Sequence, residues 1–550
     1  MSPLPADLAA RRLVEALEAA EPVAPRPLGE LIARLGSEAR LRSVADGTGS
    51  PDVGAIAAVS VAGIRDDSRT IRPGDLFVAV RGEHVDGHEH VAEARAAGAV
   101  AAIVERPVLD ASGPQLVVDR SAPALASAAS WWYGDPSRDL SVVGVTGTDG
   151  KTTTCFLVAA ALEATGSPTG LVGTVETRVG AIRARTPGHV TTPGAIGLQR
   201  LLRAMAAAGD RAAVIETTSH GLAAERVGAI VYDAAIFTNL SHEHLEFHGT
   251  FEAYRAAKLS LFERLAGPDP AKRDARPRLG IVNADDPASA AFAAATRAAG
   301  VRLLTYGSGA AADVRASAIE ERPDGLSMAV ATDGWTGSVA LRLSGRFNVH
   351  NALAAFALGV GWGLDLDAVR TGLESVAGVP GRMERVDLGQ PFGVVVDFAH
   401  SPAALETVLD QLAPTAAASR GGLIVVFGSA GERDTAKRPM MGRVAGERCR
   451  LVIVTDEDPR GEDRLAILEE IAAGAEGAGR RRGSDLLVVP DRAAAIAAAI
   501  EQARPGDIVV LAGKGHEPTI EGPDGPRPWD ERRAAEDALA ALGYGSTSGR

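Results

Sequence analysis

Residues Val142–Thr154 read VVGVTGTDGKTTT. A valine-rich run, Val142 to Val145, gives way to a glycine-studded turn ending in Gly150-Lys151-Thr152, and the apolar stretch Cys155–Leu162 then has the texture of a helix. Strand, glycine turn and helix in that order make an anion cradle. Glycines at 147 and 150 let main-chain N–H groups close around phosphate oxygens, and the helix N-terminus adds partial positive charge. In such a turn the lysine reaches the β- and γ-phosphates and the next hydroxyl can hold Mg²⁺. The common form, G-x-x-x-x-G-K-[ST], requires a glycine where this chain has Val145, so the turn is a shorter variant, G-T-x-G-K-T. The expectation is a site for ATP or GTP.

The same texture continues on both sides. From Ser141 to about Ala377, apolar runs (212–215, 234–237, 279–282, 301–304) alternate with helical patterns (198–208, 251–265), which implies a mostly parallel, helix-covered sheet. Runs at 315–320, 327–331 and 338–343 are closer together and read as an antiparallel edge. Beyond Gly378-Val379-Pro380-Gly381 a second series (393–396, 422–427, 451–454, 485–489, 507–511) recurs with helices between, a second doubly wound α/β domain. Upstream, a strand at 76–80, a helix at 88–97 and a strand at 101–104 form a smaller α/β unit. It ends at Trp131-Trp132-Tyr133-Gly134-Asp135-Pro136, which suits a packed hinge. Residues 1–40 read as one or two helices. The fold class is α/β in three domains, 1–137 with a helical extension at 1–40, 138–377 and 378–550.

Bulk properties bound the function. At 550 residues the chain exceeds a single core. With 57 basic against 70 acidic residues the formal charge is −13, which argues against a nucleic-acid partner while leaving room for a local basic pocket. The only cysteines, Cys155 and Cys449, fit neither a metal-ligand spacing nor a disulfide framework. No apolar stretch approaches a membrane span and the N-terminus lacks a signal-peptide pattern. A soluble, cytoplasmic monomer is expected.

Polar residues gather where the strands end, which is where open α/β sheets bind ligands. The run to Ile215 leads into Glu216-Thr217-Thr218-Ser219-His220, and the run to Phe237 leads into Thr238-Asn239 and then SHEHLEFHG. Glu216 and His244 with Thr152 supply a carboxylate, an imidazole and a hydroxyl, a set suited to divalent cations over ATP. Ser68 and Arg69, on the first unit's connecting loop, pair a hydroxyl with a guanidinium that can grip a phosphate or carbonyl. A capped turn beside a surface arginine would have the same sequence.

Ordered motifs then carry a resemblance over nearly the whole length: DSRTIRPGDLFVAVRG, GTDGKTTT, TTP, ETTSHGL, FTNLSHEHLEFHG, YRAAK, NADDP, GRFNVHN, PGRMERV, VDFAHSPAAL, FGSAGERDTAKRPMMG, DEDPRGE and AGKGHE. The chain resembles the Mur ligases, ATP-dependent amide-forming enzymes of peptidoglycan synthesis, and most of all the MurE branch. That branch adds a diamino acid to UDP-MurNAc-L-Ala-D-Glu. The resemblance implies that the substrate carboxylate attacks the γ-phosphate to give an acyl phosphate, which an amine then captures with release of phosphate. It implies ATP contacts from Gly147, Thr148, Asp149, Gly150, Lys151, Thr152, Thr153, Asn283 and Asn351, with Arg382 and Asp397 joining from the C-terminal domain on closure.

A pair of Mg²⁺ ions is implied at Thr152, Glu216, His244 and Lys258, the last carrying a CO₂-derived carbamate. Lys151, Glu216, His244 and Lys258 would be the catalytic set. The UDP-sugar peptide would meet Ser68, Arg69, Thr191, Thr192, Thr218 and Arg226. The amino acid would meet Arg438, Glu457, Asp458, Arg460, Gly513 and Glu517. Enzymes that use meso-diaminopimelate carry D-N-P-R, whereas this chain has Glu457-Asp458-Pro459-Arg460. The arginine suits a distal carboxylate, and the extra acid would suit a plain amine such as lysine or ornithine. Diaminopimelate is the favoured expectation. MurF, folylpolyglutamate synthetase and a non-enzymatic binding subunit are the alternatives.

Overall fold

Strand Ser141–Thr146 is buried along its whole length, and both of its edges are occupied. Ala212–Glu216 pairs parallel on one side, with Gly144 opposite Ile215, and Ala234–Phe237 on the other, with Ile236 opposite Val145. A strand covered on both faces and both edges favours apolar side chains, which explains Val142, Val143 and Val145 between the polar ends Ser141 and Thr146. The computed structural model describes residues 6–46, 51–82, 85–186, 190–241, 245–267, 269, 271–273, 276–322 and 325–545.

The chain divides into two compact units. The first comprises Met1–Ala316, Val330–Gly337 and His350–Leu373. Its large sheet runs Ile182–Arg185, Glu176–Val179, Thr169–Val172, Ala212–Glu216, Ser141–Thr146, Ala234–Phe237, Leu279–Asn283, Arg302–Gly307, and then Val314–Arg322. All neighbours from Thr169–Val172 onward are parallel. The hairpin Glu176–Val179/Ile182–Arg185 is antiparallel and lay outside the sequence expectation, because its alternating Arg and Thr residues carry no apolar run. Gly325–Thr332 and Trp335–Leu341 are the next strands along the chain.

The smaller sheet of this unit runs Leu41–Ala45, Gln115–Val118, Ala101–Val104, Asp75–Val78, Gly63–Arg65, parallel except at its first pair. Helices Leu28–Ser37 and Ser121–Trp132 supply its core with Leu28, Leu31, Leu35, Trp131 and Trp132. The aromatic run expected to form a hinge is therefore core. Trp131 donates its ring N–H to Glu30 (3.0 Å), and Gly134 and Asp135, at φ of 74° and 55°, stop the helix behind it. The helix expected at 88–97 is a 3₁₀ turn, Gly87–His90, running into Val91–Ala96.

Residues 1–40 do form two helices, but they serve different sheets. Leu28–Ser37 packs on the small sheet, while Ala6–Ala19 buries Ala9 and Leu13 in the core of the large one, against Ile182–Arg185 and helix Ala195–Ala207. Arg200 fixes that helix by donating to the Leu17 carbonyl (2.9 Å).

The second unit comprises Ser317–Ala329, Ser338–Val349 and Glu374–Arg550. Its six-stranded sheet runs Glu384–Arg385, Gly393–Asp397, Ile508–Ala512, Leu423–Phe427, Leu451–Val454, Leu486–Val488, parallel after the first pair. Alternate residues feed two cores. Val395, Val425, Val452 and Val510 meet helices Pro402–Ala418, Lys437–Arg448 and Arg464–Gly477. Val396, Val426, Ile453 and Leu511 meet Arg492–Glu501 and Glu531–Ala541. That alternation is what a doubly wound sheet requires. A hairpin, Thr519–Gly522/Gly525–Pro528, precedes the last helix.

Candidate functional site

The turn after Ser141–Thr146 is shaped by its glycines. Gly147 and Gly150 stand at φ of 153° and 80°. A Cβ on Gly147 would lie 1.8 Å from Thr238 Oγ1, and one on Gly150 would lie 2.5 Å from Asn351 Oδ1. Helix Lys151–Ala164 starts immediately after the left-handed Gly150, four residues ahead of its apolar run. Neighbouring strand ends pin the turn from the side. The Asp149 N–H donates to Asn239 Oδ1 (2.8 Å), the Thr148 N–H to the Asn239 carbonyl (2.9 Å), and Thr238 Oγ1 to the Asp149 carbonyl (2.6 Å). Thr148 Oγ1 bonds the Tyr254 hydroxyl (3.0 Å) and accepts from the Ser241 N–H (2.9 Å). Asn283 donates to the Thr238 carbonyl (2.7 Å), and Asn351 accepts from Thr154 Oγ1 (3.1 Å), so both asparagines brace the turn. Thr153 is buried.

Two ammonium groups converge on one carbonyl. Lys151 Nζ lies 3.0 Å and Lys258 Nζ 2.6 Å from the Gly147 oxygen, and Lys258 stands 4.5 Å above the Tyr254 ring. Helix Phe251–Glu263 places Tyr254 and Lys258 one turn apart, so one face carries both. Lys258 is buried, unlike a surface-helix lysine.

Thr152 Oγ1 donates to Glu216 Oε1 (2.9 Å), and Glu216 Oε2 accepts from the Thr174 N–H (3.0 Å). A hydroxyl and a carboxylate side by side at a phosphate turn are hard oxygen donors of the kind Mg²⁺ takes. Among the described residues there is no cluster of three or more His, Cys, Asp or Glu able to hold a metal. His244 lies outside the described residues. Around Glu216, Thr192 Oγ1 donates to its carbonyl (2.8 Å) and bonds Thr218 Oγ1 (3.0 Å), Thr191 bonds Thr174 (2.9 Å), and Arg226 donates to the Thr192 carbonyl (2.9 Å). Burial holds the Arg226 guanidinium below its usual pKa. Ser68 and Arg69 sit apart, on a 3₁₀ turn of the small sheet, bonded to Glu93 (3.2 Å) and Asp67 (2.7 Å). Bonds from Arg69 hold the Asp67 carboxyl at about 2.

Comparison with known proteins agrees with this geometry. Residues 60–132 match the model described as "Mur ligase family, catalytic domain", 145–359 the "Mur ligase middle domain", and 381–515 the "Mur ligase, glutamate ligase domain". The UDP-N-acetylmuramyl-tripeptide synthetase of Roseiflexus sp. (strain RS-1) is 50% identical over 88% of this chain and 96% of its own. The chain belongs to the Mur ligase family. The UDP-N-acetylmuramoyl-L-alanyl-D-glutamate–2,6-diaminopimelate ligase of Geobacter metallireducens is 40% identical over 87% of this chain and 94% of its own. A solved ligase of the same description superposes with a TM-score of 0.60 at 29% identity, over 88% of this chain and 96% of that one.

In this Mur ligase the second unit gathers its charges at two strand ends. Lys514, fully buried, bonds Asp458 Oδ1 (2.7 Å) and Glu517 Oε2 (2.6 Å), and Asp458 also accepts from the Glu521 N–H (2.9 Å). Glu457 is buried with Oε2 unpartnered, and a Cβ on Gly513 (φ 99°) would lie 3.0 Å from that oxygen. Arg460 takes φ 53° and donates its N–H to the Glu521 carbonyl (2.9 Å). Arg438 is wholly buried on Glu462 (2.7 Å) and Glu470 (3.0 Å). Asp397 accepts from the N–H groups of Met383 (2.7 Å) and Ala399 (2.9 Å), and the Arg382 guanidinium lies 4.8 Å from the Phe398 ring centre.

Sequence reasoning named Asn239 among the polar residues at strand ends without giving it a role, and passed over Thr174, Tyr254 and Lys514. Tyr254 and Lys514 lie inside YRAAK and AGKGHE, so a polar residue inside an ordered motif was the available signal. Thr174 acts through its main-chain N–H, which no side-chain pattern reveals.

Proposed function

We propose that this Mur ligase joins the D-glutamyl carboxylate of UDP-MurNAc-L-Ala-D-Glu to the amine of a diamino acid, meso-diaminopimelate, at the expense of ATP. The Thr152–Glu216 contact beside the doubly held Gly147 carbonyl carries the reading, together with the tripeptide synthetase that is half identical to this chain. Residues 1–137 would receive the UDP-sugar, 138–377 the nucleotide and 378–550 the diamino acid. The nucleotide sugar and ATP make the cytoplasm its place of work, and a monomer suffices for every residue named.

The chemistry follows from charge. The glutamyl carboxylate oxygen bonds the γ-phosphorus, and the bond from that phosphorus to the β,γ-bridging oxygen breaks, which leaves ADP and an acyl phosphate. The diamino acid's amine bonds the acyl carbon and loses a proton, and phosphate departs with the C–O bond. The first step brings two anions together, so fixed positive charge and turn N–H groups contribute where charge develops. Lys151 supplies that charge, and the bracing of Gly147–Lys151 by Asn239, Thr238 and Tyr254 holds the cradle in shape before substrate arrives. Thr152 and Glu216 would hold Mg²⁺, with His244 and a carbamylated Lys258 serving a second ion, and the ions would neutralise phosphate charge. Thr191, Thr192, Thr218 and Arg226 would face the muramoyl peptide. The pairing of Ser68 and Arg69 with carboxylates means that the uridine end would displace Glu93 and Asp67.

ADP release with UDP-MurNAc-L-Ala-D-Glu, ATP, Mg²⁺ and, in separate arms, meso-diaminopimelate, L-lysine and L-ornithine tests the reading. Fastest turnover with diaminopimelate is expected. Preference for lysine or ornithine would assign the unpartnered Glu457 oxygen to a plain amine. Turnover only with D-Ala-D-Ala and a tripeptide acceptor, or with a folate and glutamate, would overturn it.

A further inference from the structure

We infer that Arg492, through Glu531 of the last helix, positions the diamino-acid pocket, an inference that rests on the reading of the second unit given above. Arg492 opens helix Arg492–Glu501 and is fully buried, a costly setting for a guanidinium unless its donors are met. It forms a fork with the equally buried Glu531, at 2.8 Å from Nε and 2.6 Å from Nη2, and Trp529 donates its ring N–H to the same carboxylate (2.6 Å). Two further N–H groups reach main-chain carbonyls, Asp456 from Nη1 (2.9 Å) and Ala512 from Nη2 (2.8 Å).

Those carbonyls explain why the pair is there. Asp456 directly precedes Glu457-Asp458-Pro459-Arg460, and Ala512 directly precedes Gly513-Lys514, so one guanidinium orients the first peptide plane of each loop. The strands behind them, Leu451–Val454 and Ile508–Ala512, are not neighbours, since Leu423–Phe427 runs between them. No ladder hydrogen bond can set one loop against the other, and the Lys514–Asp458 bond that joins them depends on both planes being aimed correctly. Glu531 is acidic at the first turn of helix Glu531–Ala541, so this carboxylate ties the chain's last described helix to the pocket. Arg492 is thus a positioning residue. Lysine cannot replace it, because a point ammonium does not reach a carboxylate fork and two divergent carbonyls together.

The test compares kinetic constants of the full-length wild type, Arg492→Lys and Glu531→Gln, with each substrate varied in turn. The expected result is a rise of about tenfold or more in the KM for the diamino acid, on the scale seen when support behind a binding group is removed. The KM values for ATP and the UDP-sugar peptide should stay within about twofold, since neither variant removes a group that would touch them. Glu531→Gln keeps the shape of the fork and serves where Arg492→Lys does not fold. Equal changes in all three KM values, or a fall in kcat alone that tracks the folded fraction by circular dichroism, would reduce the pair to a structural one and overturn the inference. A wild type that transfers no diamino acid would instead strike the function proposed above.

Discussion

The phosphate turn of the first unit and the strand ends of the second solve opposite electrostatic problems. At the turn, Lys151 places its ammonium group on the Gly147 and Thr148 carbonyls, neutral acceptors that hold its charge in place. At the strand ends, cations are cancelled within the fold: Lys514 by Asp458 and Glu517, Arg438 by Glu462 and Glu470, Arg492 by Glu531. A polyanion rewards concentrated positive charge, while a zwitterion needs partners of both signs at nearly neutral total. The contrast teaches that the Lys151 charge is positioned ahead of its ligand, whereas the second site holds internal ion pairs that an incoming zwitterion would exchange for new ones.

The largest effect should come from cancelling the turn's charge. Lys151→Ala is expected to cut ADP release about a thousandfold, comparable with losing a principal transition-state donor. A loss under tenfold would break the comparison at its stronger end. Lys258→Ala should follow at about a hundredfold, on the scale of losing a group that supports a metal site. If the carbamate is what the site uses, formate or bicarbonate should restore part of that loss, and restoration by neither would assign Lys258 its observed contacts alone.

Glu457→Gln tests the other end. It removes the charge of a buried oxygen without a partner, and should shift the ratio of kcat/KM for lysine over diaminopimelate by about tenfold, the scale of one misplaced pocket contact. An unchanged ratio would mean that this carboxylate does not meet the substrate.

The smallest effect is one of stability. The Arg438 hydrogen bond is the main cause holding the Glu462 carboxyl at about 2, with the Glu432 N–H assisting. A depressed carboxylate stabilises the fold above its unfolded pKa, about 4.3, and that contribution is lost as pH falls toward 2. The urea midpoint of the wild type should therefore exceed that of Glu462→Gln at pH 7, and the gap should narrow below about pH 4. A gap that does not change with pH would make the contact one of packing.

How much of this was legible in the sequence depended on distance along the chain. The strand, turn and helix around Gly147–Lys151 are local, and their residue types dictate them; only the helix start was misplaced, because Lys151-Thr152-Thr153-Thr154 has no apolar spacing. The second sheet was equally legible from its valine runs. Asp458 and Glu517 were readable as residue types, but their shared partner Lys514 was not, since its ammonium had no sequence signal separating it from a solvated one. The clamp at Arg492 was invisible. It joins Arg492 to positions 456 and 512 through main-chain oxygens, which carry no letter code, and to the distant Glu531 through its carboxylate. The Trp131-Trp132 run misled for a different reason: aromatic residues next to glycine and proline are equally suited to a boundary and to the capped end of a buried helix.

The placement of helix Ala6–Ala19 has a consequence for biosynthesis. Its apolar side rests on a strand and a helix encoded far downstream, so during translation that side emerges long before its resting place exists. At ordinary elongation speeds the interval is roughly 10 to 40 s, time in which a chaperone or a neighbouring nascent chain can reach the exposed leucine.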